Sequence, residues 1–256
     1  MTKSGEIILD VKDLRKSYGD KEVVKGISFQ VKRGEVFGIL GPNGAGKTTT
    51  FEMIEAMRPI DGGTILVDGI DVQKDPWAVR RIIGVQPQSP SFQDKQKLTE
   101  IIEMFAATYG ERVNPMELLD DVNLGEKASA YVESLSGGQR QRLSIAVALV
   151  HSPRVFFLDE PTTGLDPQAR RNLWKLIEHI RDKGVTVMLT THYMDEAEIL
   201  CDRVAIMDSG NVIQIDTPKN LIQQLLRKGF KKSQKVEQAN LEDVFIDLTG
   251  KGLHHE

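Results

Sequence analysis

The stretch Gly41-Pro42-Asn43-Gly44-Ala45-Gly46-Lys47-Thr48 constrains this chain more than any other. It follows the apolar run Val36-Phe37-Gly38-Ile39-Leu40 and precedes a helix-compatible stretch through Met57, so it reads as strand, loop and helix in series. It matches the phosphate-binding P-loop pattern in the context that pattern requires. Glycines let successive backbone N–H groups face inward around phosphate oxygens, and the helix start after Gly46 adds partial positive charge. Lys47 is expected to reach the β and γ phosphates of a nucleotide, and the Thr48 hydroxyl to ligate Mg²⁺.

The rest of the chain sets the scale of the fold. Its 256 residues are 40% hydrophobic and 27% charged, a globular composition long enough for one large or two small cores. A net charge of -4 argues against dedicated nucleic-acid binding. The longest apolar runs, such as Ile145 to Val150, fall far short of the ~20 residues that span a bilayer, so any membrane role is expected to run through a partner. The polar N-terminus lacks the apolar core of a secretory signal, and the single Cys201 cannot form an intrachain disulfide. Both fit a reducing cytoplasm.

An α/β fold is expected. The β-type runs Ile7 to Val11 and Ile27 to Val31, with turns such as Tyr18-Gly19-Asp20, predict a small antiparallel sheet. Residues 1–88 read as a β subdomain and the first part of a P-loop NTPase core. Leu98, Ile101, Ile102, Phe105, Ala106 and Tyr109 recur at helical spacing, and Asn114-Pro115 opens another helix. Residues 89–152 read as an inserted α-helical subdomain. Val155 to Leu158 and Val185 to Leu189 read as buried strands around a helix carrying Leu173, Leu176, Ile177 and Ile180. That alternation predicts a mainly parallel sheet flanked by helices, with residues 153–218 as the second part of the core. Residues 219–256 form a tail in which Arg227, Lys228, Lys231, Lys232 and Lys235 concentrate positive charge. The run reads as a solvated face, or as a contact with anionic headgroups or an acidic partner loop.

Two further segments carry chemistry. The apolar run Val155 to Leu158, read as a buried strand, delivers Asp159 and Glu160 to its end, where adjacent carboxylates repel unless solvent or a cation is near. Beside a P-loop that cation is supplied, so Asp159 is expected near Mg²⁺ and Glu160 is placed to orient or deprotonate an attacking water. Leu135-Ser136-Gly137-Gly138-Gln139 precedes a helix with an apolar face. It is either a second anion site at a helix start or a helix capped by Ser136.

In order and content these segments resemble the nucleotide-binding subunit of an ATP-binding cassette (ABC) transporter over nearly the whole chain. The matching segments are Tyr18, the P-loop from Gly41 through Thr49, Gln88, Leu135 to Gln139, Val155 to Glu160, Gly164-Leu165-Asp166 and His192. The resemblance implies ATP and Mg²⁺ as ligands and a head-to-tail homodimer or heterodimer. Each ATP then lies between one P-loop and the partner's Ser136, Gly137, Gly138 and Gln139. It further implies that Tyr18 stacks on adenine, Gln88 senses Mg²⁺ and water, His192 contacts the γ-phosphate and Asp166 communicates between sites. Bland alternatives stay open: Tyr18 as cover for an apolar edge, Gln88 as a loop amide, His192 as a structural histidine. Gln86, two residues before Gln88, makes that assignment ambiguous. His151, His179, His254 and His255 are assigned no function.

Thr191 to Glu198, Pro161 to Pro167 and the tail Leu241 to Gly250 resemble ATPases of type-2 exporters, including the daunorubicin-resistance group. The implied activity is ATP hydrolysis driving export of a drug, lipid, polysaccharide or ion through separate integral-membrane permease subunits, with the chain peripheral on the inner face of the membrane. A soluble cassette ATPase acting on ribosomes or nucleic acid is the alternative. The tail is also expected to pack Leu241, Val244, Phe245 and Leu248 on the core.

Overall fold

A computed structural model describes residues 5–86, 92–230 and 241–249, with the side chains of residues 241–243 and 245 excluded. The first strands, β1 (Ile7–Tyr18) and β2 (Lys21–Lys32), form an antiparallel hairpin turning at Gly19-Asp20. Each is twelve residues long, well beyond the short runs expected. Their outer halves alternate polar and apolar residues, because only one face is buried, and this hides them from a search for apolar runs. Next come β3 (Val36–Leu40), buried throughout, and α1 (Lys47–Ile54), which stops short of Met57 because Ala56 turns left-handed at φ 57°.

The strands β4 (Gly62–Val67) and β5 (Ile70–Asp71) complete a four-stranded antiparallel sheet in the order β2-β1-β4-β5. Then α2 (Pro76–Ile82), capped by Asp75, leads into β6 (Ile83–Gln86). The α-helices α3 (Leu98–Tyr109), α4 (Pro115–Asp121), capped by Asn114, and α5 (Gly137–Leu149) follow, with two single-turn 3-10 helices between the last two. Alternation resumes with β7 (Val155–Asp159), α6 (Pro167–Asp182), β8 (Thr186–Thr191), α7 (Met194–Leu200) and β9 (Arg203–Asp208). The chain then forms β10 (Asn211–Asp216), α8 (Pro218–Arg227) and α9 (Leu241–Thr249).

The second sheet has the order β10-β9-β3-β8-β7-β6 and is parallel except for the edge strand β10. Period-two alternation sorts its side chains onto two cores. Phe156 and Leu158 of β7, with Val36, Val187 and Val204, join the apolar faces of α3 to α8. Val155 and Phe157 face the antiparallel sheet and α1, where Phe157 meets Phe51 edge-on at 5.3 Å between ring centroids. Cover on both faces explains why these strands read as uninterrupted apolar runs.

Two details stand out at the helix surfaces. Tyr109, the last residue of α3 in the helical spacing, is 43% exposed and stacks on His151 at 3.9 Å. Lys228 of the basic run pairs with Asp247 of α9 at 2.9 Å, while Lys231, Lys232 and Lys235 lie outside the described residues. Val244 is buried and Leu248 packs on the core, as the tail pattern indicated, whereas Leu241 and Phe245 lie outside the described side chains. Among the described residues no helix is long and apolar enough to cross a membrane.

Candidate functional site

Register positions the site. Leu40 pairs with Thr191, and Asp159 with Thr190, so β3, β7 and β8 end together. The loops after them, carrying Gly41 to Gly46, Glu160 and His192, therefore converge on the carboxyl edge of the parallel sheet, where ligands of such folds collect.

The loop between β3 and α1 depends on its glycines at particular points. Gly46 has φ 102° and Gly44 φ 79°, conformations in which L side chains are strained. A Cβ on Gly41 would stand 2.1 Å from the Met207 carbonyl oxygen. Ala45 is buried, and its carbonyl accepts from Gly210 N at 3.1 Å, pinning the loop to the turn between β9 and β10. Lys47, only 4% exposed, folds back along the loop and donates to Gly41 O at 2.8 Å and Pro42 O at 3.1 Å. Its Nζ also stands 3.2 Å from Glu160 Oε1.

The carboxylates are held from β8. Asp159 accepts from the Thr190 hydroxyl and faces Thr48 Oγ1 at 3.5 Å. Glu160 N donates to Thr190 Oγ1 at 3.0 Å, while its backbone sits at φ 47°, a left-handed conformation costly for a residue with a Cβ. His192 Nδ1 lies 3.2 Å from Glu160 Oε2 but is not aligned for a hydrogen bond, so the pair is a contact of position only. A cleft of about 530 Å³ opens over these groups, lined by Asn43, Gly44, Lys47, Thr48, Glu160 and His192 among others.

Thr49 and Val23 also line this cleft. Val23 lies on β2 and carries no motif, so only the fold reveals it. Tyr18 does not line it. The ring sits 43% exposed at the hairpin tip, between Lys16 Nζ at 5.7 Å and the Arg58 guanidinium at 5.5 Å. Gln88 lies outside the described residues; Gln86 is buried at the end of β6. Glu55, at the end of α1, was not singled out by the sequence. Burial, with Asp159 and Glu52 nearby, pushes its carboxyl up to about 8.

Ser136 and Asp166 lie away from the cleft lining and both cap helices. Ser136 Oγ accepts from Gln139 N at 3.4 Å while Gln139 Oε1 accepts from Ser136 N at 3.0 Å, a reciprocal capping box opening α5. Ser136 and Gly137 are nevertheless exposed. Asp166 accepts from Ala169 N and Gln168 N, both at 2.9 Å, and these backbone donors hold its carboxyl below the ordinary range. The Asp-Pro pair at 166–167 was a readable capping signal.

Chemically, the cleft combines a glycine-rich helix start, a buried ammonium, a hydroxyl beside a carboxylate, and a second carboxylate beside an imidazole. Such a set suits a polyphosphate and the hydrolysis of its terminal group.

Comparison with known proteins agrees. The family profile for ABC transporters matches residues 24–163, more than half of the chain. The chain is 41% identical over 223 residues to the linearmycin resistance ATP-binding protein LnrL of Bacillus subtilis, covering 85% of this chain and 72% of that protein. It is 43% identical over 220 residues to the Nod factor export ATP-binding protein I of Ralstonia nicotianae, covering 84% and 68%. A solved ATP-binding subunit of an ABC transporter superimposes with a TM-score of 0.81 at 30% identity, covering 94% of this chain and 99% of that one. A cleft suited to ATP in a chain with these relatives has one consistent interpretation: this protein belongs to the ABC transporter family, as an ATP-binding subunit that hydrolyses ATP.

Proposed function

We propose that this chain is the motor subunit of an exporter, working as an ATP-dependent dimer on separate membrane-embedded permease subunits at the cytoplasmic face. The observation that carries this reading is the separation of two glycine-bearing helix starts. One lines the cleft, and the other, at Ser136 and Gly137, faces solvent away from it. A second copy in head-to-tail arrangement would bring its Ser136, Gly137, Gly138 and Gln139 over the first copy's cleft, giving both helix starts one shared polyphosphate. The export direction rests on the relatives named for Nod factor export and linearmycin resistance.

In this reading the P-loop from Gly41 to Gly46 wraps the phosphates, with the backbone N–H groups of Asn43, Gly44 and Gly46, which line the cleft, and the Lys47 ammonium as donors and Thr49 at their edge. Thr48 and Asp159 present a hydroxyl and one carboxylate, the hard oxygen set that Mg²⁺ accepts alongside phosphates and water. When bound, that ion would neutralise charge on the phosphates. Glu160 accepts a proton from the attacking water, and His192, next to it, donates toward the γ-phosphate. Asp166, by capping α6, holds the loop that follows Glu160. Tyr18 stacks on the base from outside the cleft lining, and Gln88 couples the site to the permease. Residues 89–152 act as the helical unit bearing Ser136, between the two parts of the core at 1–88 and 153–218, with 219–256 as a tail. Exposed Met57, Trp77 and Tyr109 offer apolar contact to the permease, Met57 and Tyr109 on a single groove.

The test is Glu160→Gln in Mg-ATP. Light scattering after size-exclusion chromatography should find a dimer with ATP and a monomer without it, while phosphate release is lost. A monomer in ATP that hydrolyses at the parent rate overturns the reading.

A further inference from the structure

Glu196, on α7, is wholly buried yet belongs to no part of the cleft. Trp174 Nε1 of α6 donates to its Oε1 at 3.2 Å. Thr162 and Thr191 also face the carboxyl, near enough to stabilise its charge. Yet Oε2 has no well-formed hydrogen bond, and neither has Thr162 Oγ1, which is itself fully buried. Two buried polar atoms left unmatched in one place are costly and uncommon in a settled core. Burial pushes the Glu196 carboxyl up, so its neutral form can donate where the carboxylate cannot.

The residues around it come from separate segments of the site. Thr162 lies two residues after Glu160, in a loop whose Pro161 carbonyl accepts from Gln141 Nε2 of α5 at 2.9 Å. Thr191 immediately precedes His192, and its Oγ1 accepts from Tyr193 N at 2.9 Å. We propose that Glu196 is a positioning residue that ties the loop after Glu160, through Thr162, to the end of β8, through Thr191, so that Glu160 and His192 shift as one unit. Oε2 and the Thr162 hydroxyl close on each other when that unit takes its hydrolytic arrangement. This inference rests on the roles proposed above for Glu160 and His192.

Steady-state kinetics of Glu196→Ala, Glu196→Gln, Thr162→Val and the Glu196→Ala/Thr162→Val double variant test it. Glu196→Ala should lower kcat about tenfold or more, the scale of a small misplacement of reacting groups, with KM for ATP within about twofold of the parent. Glu196→Gln, which keeps a donor and an acceptor, should restore most of kcat, a rescue that simple loss of packing does not predict. Thr162→Val should lower kcat in the same way, and the double variant should be no slower than the slower single one. Parent kcat in Glu196→Ala overturns the proposal, as does a double variant in which the two losses multiply. Should Glu196→Ala fail to fold, Thr162→Val and Glu196→Gln decide alone: parent kcat in the first, or a kcat about tenfold or more below the parent's in the second, overturns it. Glu160→Gln separates the two levels. Parent turnover there sinks the reading of the site itself, whereas an inactive Glu160→Gln beside a fully active Glu196→Ala sinks only this inference.

Discussion

Lys47 Nζ and Glu160 Oε1 stand 3.2 Å apart, with the lysine 4% and the glutamate 11% exposed in their side chains. A polyphosphate arriving at the loop must therefore compete with Glu160 for the same ammonium. Glu160→Gln removes the competitor and leaves Lys47 its two carbonyl partners. Without ATP the variant should be less stable by on the order of 1–2 kcal/mol, below the cost of breaking a fully buried pair because the cleft is open. ATP should then raise its melting temperature by more than it raises the parent's, while turnover falls about 10²–10⁴-fold with the loss of a general base. Thermal unfolding with and without Mg-ATP, beside a phosphate-release assay, checks both. An equal ATP-induced rise in the two proteins would show that the ion pair does not oppose binding.

Ser136 allows its two roles to be separated. Its cap bond to Gln139 N, at 3.4 Å, is long, and the residue is exposed, so Ser136→Ala should cost only about 0.5 kcal/mol in urea unfolding. A contact to phosphate across a dimer is charge-assisted, and its loss should weaken ATP-driven dimerisation about tenfold or more. Sedimentation of Ser136→Ala in the Glu160→Gln background measures this directly. A dimer as tight as that of Glu160→Gln alone would leave Ser136 as a helix cap and nothing more.

Glu55 introduces a pH dependence into folding. The unfolded chain releases this proton near 4.5, whereas the folded chain keeps it to about 8, so the folded protein holds more protons across that window. Its contribution to stability is thus full below about 4.5 and falls as pH rises, by on the order of 4 kcal/mol by pH 8. Glu55→Gln removes the titrating group from its buried place beside Asp159. Urea midpoints at pH 5 and pH 8 should fall less for the variant than for the parent, and the variant should be the more stable at pH 8. Parallel declines would mean that Glu55 is solvated in the folded protein.

Much of this was legible in the sequence because the decisive signals are local. The loop at 41–48, the strand ending in Asp159-Glu160 and the cap at Ser136 each announce themselves within a few residues, and the structure places the first two on one sheet edge as the alternation implied. What stayed hidden depends on residues distant in the chain. Val23 reaches the cleft only because β2 folds back over the P-loop, and its Cβ-free neighbour Gly46 fits beneath the Val23 carbonyl. Glu55 meets Asp159 across 104 residues, and Glu196 meets Thr162 across 34, through packing that no periodicity encodes. Tyr109 shows the converse. It keeps perfect helical spacing, yet α3 ends there and its ring turns outward onto His151.

Two glycines of the P-loop separate crowding from backbone conformation. At Gly41 an added Cβ would stand 2.1 Å from the Met207 backbone oxygen, and a backbone oxygen within β9 has little room to move. Gly41→Ala must therefore displace the loop from β9, and overpacking of this kind should cost about 1–3 kcal/mol of stability. Because Lys47 donates to the Gly41 carbonyl, the displacement should also misplace the ammonium and weaken ATP binding about tenfold or more. At Gly44 nothing lies within 4 Å of the added Cβ, and only the positive φ of 79° opposes it. Gly44→Ala should cost about 1–2 kcal/mol from the left-handed backbone alone. Its carbonyl holds no contact to Lys47, so binding of ATP should weaken less than in Gly41→Ala. Urea unfolding and a fluorescent-nucleotide titration of the two variants make the comparison. If Gly44→Ala loses more affinity than Gly41→Ala, contact with the phosphates at Gly44 matters more than the anchoring of the loop to β9.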